Sequence, residues 1–255
     1  MSRADRRRGA TVGLLPVFAL ALAAAGIWAS VAERREHKVE QATAADEAAG
    51  RYVSDVATFR AHVLRVLSQH RGAHPAELRD VLDREIPRYP KLPSPPPPGA
   101  ERSRSYQAAV ETSRTGLEPV MQLRAQLDTA AQAEVFVATA NKALQRATAA
   151  LLGSSLVFDT EPLESRTLPE LHRALREVRS APAPANGKLA ERTVVSAISH
   201  AIGQIETMIA KLDEGGSYSY DLSDEFNAAE TQLKNFAIDV DGDVREAVAR
   251  LRDTT

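Results

Sequence analysis

The sequence predicts an all-α protein: a single N-terminal transmembrane helix, then an extracytoplasmic helical bundle with an antiparallel, coiled-coil-like body. Three observations lead there. Residues 11–31 form an uncharged apolar run of membrane-spanning length. Downstream, apolar residues recur at helical spacings of three and four, and no convincing run alternates with the period of two that a strand requires. Aromatic residues make up only 5% of the 255 positions, which suits helices packed through Ala and Leu better than a sheet.

The apolar run reads TVGLLPVFALALAAAGIWASV. A helix rising about 1.5 Å per residue needs roughly 20 residues to cross a hydrocarbon layer of about 30 Å. Trp28 stands near the far end, where an indole sits well at headgroup level. Pro16 falls in the first turns, where its missing N–H costs least. Arg3, Arg6, Arg7 and Arg8 precede the run, against Arg34, Arg35 and Lys38 after it. That asymmetry orients residues 1–10 as a cytoplasmic basic tail and the body outside. The alternative is a signal peptide cut after Ser30-Val31-Ala32, which would give a secreted protein. The run exceeds the usual apolar core of about 7–15 residues in such peptides, which favours the anchor.

From Glu33 to about Arg71 the sequence reads as one helix, with residues 32–52 a solvated stalk and packing expected from Val53 onward through Val56, Val63, Val66 and Leu67. Gly72 and Pro75 end it and start a short helix with Leu78, Val81, Leu82 and Ile86 on one face, which closes the helical stretch 53–86. Residues 87–100 contain PRYPKLPSPPPPG, predicted to be an extended polyproline connector. Pro95, Pro96, Pro97 and Pro98 are candidate partner contacts within it, as a PxxP ligand.

The region 101–180 is helical through Leu152, with an irregularity at Gly116–Pro119. Leu123, Ala130, Val137, Leu144 and Leu151 recur every seven residues, with Ala133, Ala140 and Ala147 in the paired positions. Residues 153–166 read as a loop, and Thr167 with Glu170 as a capping box opening a helix to about Arg179. After the linker 181–187, residues 188–255 form a helical hairpin. Its first helix carries Val194, Val195, Ile198, Ala201, Ile202, Ile205, Met208, Ile209 and Leu212. Gly215-Gly216 ends that helix, and the last one starts near Leu222 with Phe226, Ala229, Leu233, Phe236, Ala237 and Val240.

Charge narrows the function classes. Residues 1–38 hold seven Lys/Arg and three Asp/Glu, which leaves 25 basic and 31 acidic residues in 39–255. A body with that balance lacks the basic stripe needed to hold a phosphate backbone, so nucleic acid is not an expected partner. With no cysteine, disulfides, thiolate ligands and a Cys nucleophile are excluded. The excess of Arg over Lys, with abundant Ala and Pro, suggests a GC-rich bacterial source.

Several residue groups resemble sites and fail on spacing. Asp239, Asp241 and Asp243 with Gly242 resemble the start of a calcium loop, but Val244 and Arg250 stand where the loop needs its Gly and its bidentate Glu. The apolar register runs on through Val240, Val244, Ala247, Val248 and Leu251, so the reading is helix with solvated acids, or a break capped by Asp243 with Glu246. His70 and His74, with His62, have helical metal-pair spacing, but Gly72 and Pro75 interrupt the helix that would align them. His200 reads as a residue at the boundary of its stripe, and Ser199 lacks a nucleophile-elbow setting. Tyr218 and Tyr220, in GGSYSYD, are candidate contact residues that could equally fold back over the hairpin end.

No metal, cofactor or catalytic set is therefore expected. The reading is a membrane-anchored protein with a non-catalytic interaction or scaffolding role in the bacterial cell envelope. Its partners would be another envelope protein or itself, through helix faces. The alternative is a ligand-sensing extracytoplasmic bundle, which would need a partner to carry a signal inward because only ten residues precede the apolar run.

Overall fold

A computed structural model describes residues 14–70, 72–152 and 159–253, with side chains from residue 42 onward. Among them the chain is all-α, without a strand. The helices are α1 (Leu14–Gln69), α2 (Pro75–Glu85), α3 (Arg104–Thr115), α4 (Glu118–Leu152), α5 (Leu168–Ser180), α6 (Lys188–Asp213) and α7 (Ser223–Asp253). Of the apolar run at 11–31, the first three residues and all the side chains lie outside the described part, and the backbone from Leu14 onward is helical. Among the described residues, no helix is long and apolar enough to cross a membrane.

The chain divides into two units. The first combines the chain up to Thr58 with Pro90–Gly116. On α1, Ala45, Ala48, Ala49, Tyr52 and Val56 are buried, while Val53 is 50% exposed. Packing thus begins two turns earlier than the stripe of branched residues suggests, on alanines whose small side chains give a weak apolar signal. Ser103 has two roles here. Its hydroxyl oxygen accepts from the Tyr106 N–H at 2.9 Å, capping α3, and its proton goes to Asp46 of α1 at 2.6 Å.

The proline segment departs from a continuous polyproline rod. Ile86–Arg88 is a 3-10 turn. Further on, the Ala100 N–H donates to Pro97 and the Arg102 N–H to Gly99, closing tight turns. Gly99, at φ +81°, supplies the left-handed step they need.

The second unit contains Phe59–Tyr89 and the chain from Leu117. Its larger core gathers α4, α5, α6 and α7 around Phe136, Leu144, Leu171, Ile198, Ile205 and Leu233, all essentially inaccessible. A smaller core joins Phe59 and Val63 of α1, Leu82 of α2, Val120, Leu123 and Leu127 of α4, and Ala247 and Leu251 of α7. Since Phe136 meets Phe236 edge-on at 6.1 Å while Val120 and Leu123 share a core with Leu251, α4 and α7 run antiparallel. The heptad of α4 lies on its buried face, with Val137 and Leu151 half-covered. The stripe of α6 is likewise inward. Ala237 is exposed instead, on the outer side of α7.

Two local expectations give way. The chain is already helical at Glu161 and Pro162 and passes through a π-turn at Leu163–Thr167 before α5. Thr167 is therefore inside a helix, in αR geometry, with no side-chain cap to make, and its predicted box with Glu170 does not form. The π-turn buries both Leu163 and Thr167. At the other end, α7 continues through Gly242 to Asp253 with Asp239, Asp241 and Asp243 exposed, as the helix reading of that segment expects, and the alternative break capped by Asp243 does not occur.

Candidate functional site

In the second unit a polar chain and a groove lie together on the surface of the α6–α7 pair. The helices are antiparallel: His200 faces Glu225, and Gly187 lies so close to Phe236 that a Cβ there would sit 2.9 Å from the ring. One turn of α6 beyond His200 is Gln204, on the same face at the i, i+4 spacing. Its amide nitrogen lies 2.9 Å from His200 Nε2, and its oxygen accepts the Tyr218 hydroxyl. On the other side of the ring, His200 Nδ1 lies 3.1 Å from Glu225 Oε1. A chain Tyr218–Gln204–His200–Glu225 thus links the α6–α7 loop to both helices. With the neutral ring protonated on Nδ1, every contact in it pairs a donor with an acceptor. Both ring nitrogens are engaged, so neither faces an open substrate position.

Next to this chain is a groove of about 430 Å³ lined by Arg192, Thr193, Ser196, Ala197, Glu225 and Ala228. Short side chains form its floor and charges stand at its ends. Arg192 is exposed, its Nε donating only to the Lys188 carbonyl at 3.3 Å. Among the described residues it has no carboxylate partner. At the start of α7, Asp221 accepts from the Ser223 N–H at 2.9 Å. Hydrogen bonds from the Ser223 side chain and backbone hold the Asp221 carboxyl below its ordinary range.

The residues singled out from sequence are dispersed. Tyr218 and Tyr220 fold back and pack against the main core, half-buried. Pro96, Pro97 and Pro98 line a groove of about 630 Å³ in the first unit, together with Tyr106 and Gln107. Pro95 is exposed beside them, after a cis Ser94–Pro95 bond. The three histidines separate: His62 meets Glu85 at 3.2 Å, His70 lies 2.9 Å from the Val66 carbonyl, and His74 meets Glu134 at 2.6 Å. Asp239, Asp241 and Asp243 are all exposed on α7, and Asp241 pairs with Arg245. Among the described residues no group of three His, Asp or Glu could hold a metal ion.

The polar chain at His200 was missed from sequence. Its i, i+4 His–Gln half was visible as polar residues along the edge of an apolar stripe. Its Glu225 half is 25 positions away and becomes a neighbour only through the hairpin. Compared with family models, curated proteins and solved structures, the chain matches none of them.

Proposed function

We propose that this chain is a membrane-anchored helical interaction protein of the bacterial cell envelope, with its N-terminus inside, its body outside, and a non-catalytic role in binding or scaffolding. The observation that carries this reading is α1. Its 56 residues run without a break from Leu14 in the apolar segment to Gln69 in the body, about 84 Å at the rise of an α-helix. An apolar segment joined to its body by unbroken helix is suited to holding that body at a set distance from a bilayer. The exposed faces of the body, and the α6–α7 groove among them, would then meet the partner.

In-cell crosslinking of the full chain, with partner identification from the membrane fraction, tests both halves of the proposal. The expected result is a membrane-associated chain, with its apolar run retained, crosslinked to an envelope protein or to itself. Recovery of only an uncrosslinked monomer would remove the interaction role. A mature chain starting at Ala32 or Glu33 would replace the anchored form with a secreted one. The ligand-sensing alternative draws on the same groove, and it predicts a rise in melting temperature with a small ligand.

A further inference from the structure

We propose that the α6–α7 groove is the contact surface for a second copy of this chain, packed antiparallel about a twofold axis near Ser196 and Ala228. This rests on the interaction reading above and specifies its surface and occupant. The groove carries opposite charges at its two ends. Arg192 stands at one end, and Glu225, beside His200, at the other. Eight residues of α6 separate Arg192 from His200, about 12 Å along the helix. A surface that carries both charges at a like spacing meets the two ends at once.

A twofold rotation about the middle of the groove exchanges its ends. Arg192 of each copy then faces Glu225 of the other, and both pairs form together, which is the self-complementarity an isologous interface requires. The contact His200 makes uses Glu225 Oε1 and leaves Oε2 to accept from the incoming guanidinium. Arg192, without a carboxylate in its own chain among the described residues, gains one. Between the charges only Thr193, Ser196, Ala197 and Ala228 intervene, so helices can approach to the short end of the usual spacing of about 8–10 Å. Leu189 adds an apolar contact: it is 55% exposed and, seven residues before Ser196, shares its face of α6.

The natural absence of cysteine makes the test direct. Ser196→Cys in the full chain, purified in mild detergent, places a single thiol at the proposed axis. Thr207→Cys places one on the same face of α6 but about 16 Å from that axis. Under mild oxidation the Ser196→Cys chain is expected to form a disulfide dimer at least about tenfold faster than the Thr207→Cys chain. Arg192→Glu or Glu225→Arg, added singly, should slow that crosslink about tenfold or more by placing like charges opposite each other. Both substitutions together should restore it. Equal rates at positions 196 and 207, or a double variant no better than the single ones, would overturn the twofold contact. So would a chain that crosslinks in cells to another protein through position 196 and never to itself; that outcome would leave the interaction role standing.

Discussion

Two helix seams of the second unit show opposite treatment of surface charge. Along α2 and α4, partners step down one helix as they step up the other: His74 to Glu134 at 2.6 Å, Arg79 to Asp128 at 3.0 Å, and Arg124 to Asp83 at 2.6 Å. Beneath them Leu82 packs with Leu123 and Leu127. Along α6 and α7 the outer edge has, among the described residues, one pair between the helices, His200 with Glu225, then a groove and an Arg192 without a carboxylate partner. Exposed pairs contribute little stability individually. A run of them in constant antiparallel register instead fixes alignment and occupies the charges that line the seam. The first seam is closed in this way; the second keeps charge available.

The largest difference should come from beneath the closed seam. Leu82 is fully buried, so Leu82→Ala should lower unfolding stability by about 2–5 kcal/mol through lost burial and a residual cavity. Chemical denaturation reads this as a shifted midpoint. If the loss were below about 1 kcal/mol, the site would collapse easily and the seam would owe its alignment to the ion pairs alone. On the open seam, Tyr218→Phe removes only the bond to Gln204, and about 0.5–1.5 kcal/mol is expected. The same variant should speed exchange of backbone amides in the 215–221 loop. Unchanged exchange there would mean that ring packing, rather than the hydrogen bond, holds the loop down.

The smallest effect depends on pH and separates the two seams cleanly. A hydrogen bond from Arg124, aided by its charge and that of Arg79, holds the Asp83 carboxyl below its ordinary range. Because the folded value lies below the unfolded one, the stabilisation is full above the ordinary carboxylate range and disappears as pH falls through the depressed folded value. Asp83→Asn should therefore be less stable than the parent at neutral pH, and the gap should narrow in acid. A gap constant from neutral to strongly acidic pH would show that the variant acts through packing.

Helical periodicity made most of the fold legible. The stripes of α4 and α6 are buried as their spacing requires, because a repeat near 3.6 survives whichever neighbour covers it. Three features were hidden for physical reasons. Ala45, Ala48 and Ala49 are buried, yet one methyl group each makes them a weak hydrophobic signal beside branched residues. The π-turn at Leu163–Thr167 inserts a residue into a helical turn, and the flanking Pro162 and Pro169 read as helix-start signals rather than as a bulge. The site depended on pairing across the hairpin. Gln204 and His200 could be placed on one face from sequence, but the opposing register that brings Glu225 to His200, and Gly187 to Phe236, is set by packing across the hairpin.

The unbroken course of α1 has a consequence for phase as well as length. Each residue of an α-helix turns the chain by about 100°, so one alanine inserted between Lys38 and Ala42 would rotate the buried row of Ala45, Ala48, Tyr52 and Val56 by that angle relative to Leu14. Seven inserted residues would bring it back to within about 20° while lengthening the rod by about 10 Å. A set of insertions can therefore separate a requirement for reach from one for orientation: activity that falls at one residue and returns at seven would identify α1 as a shaft whose angular setting matters.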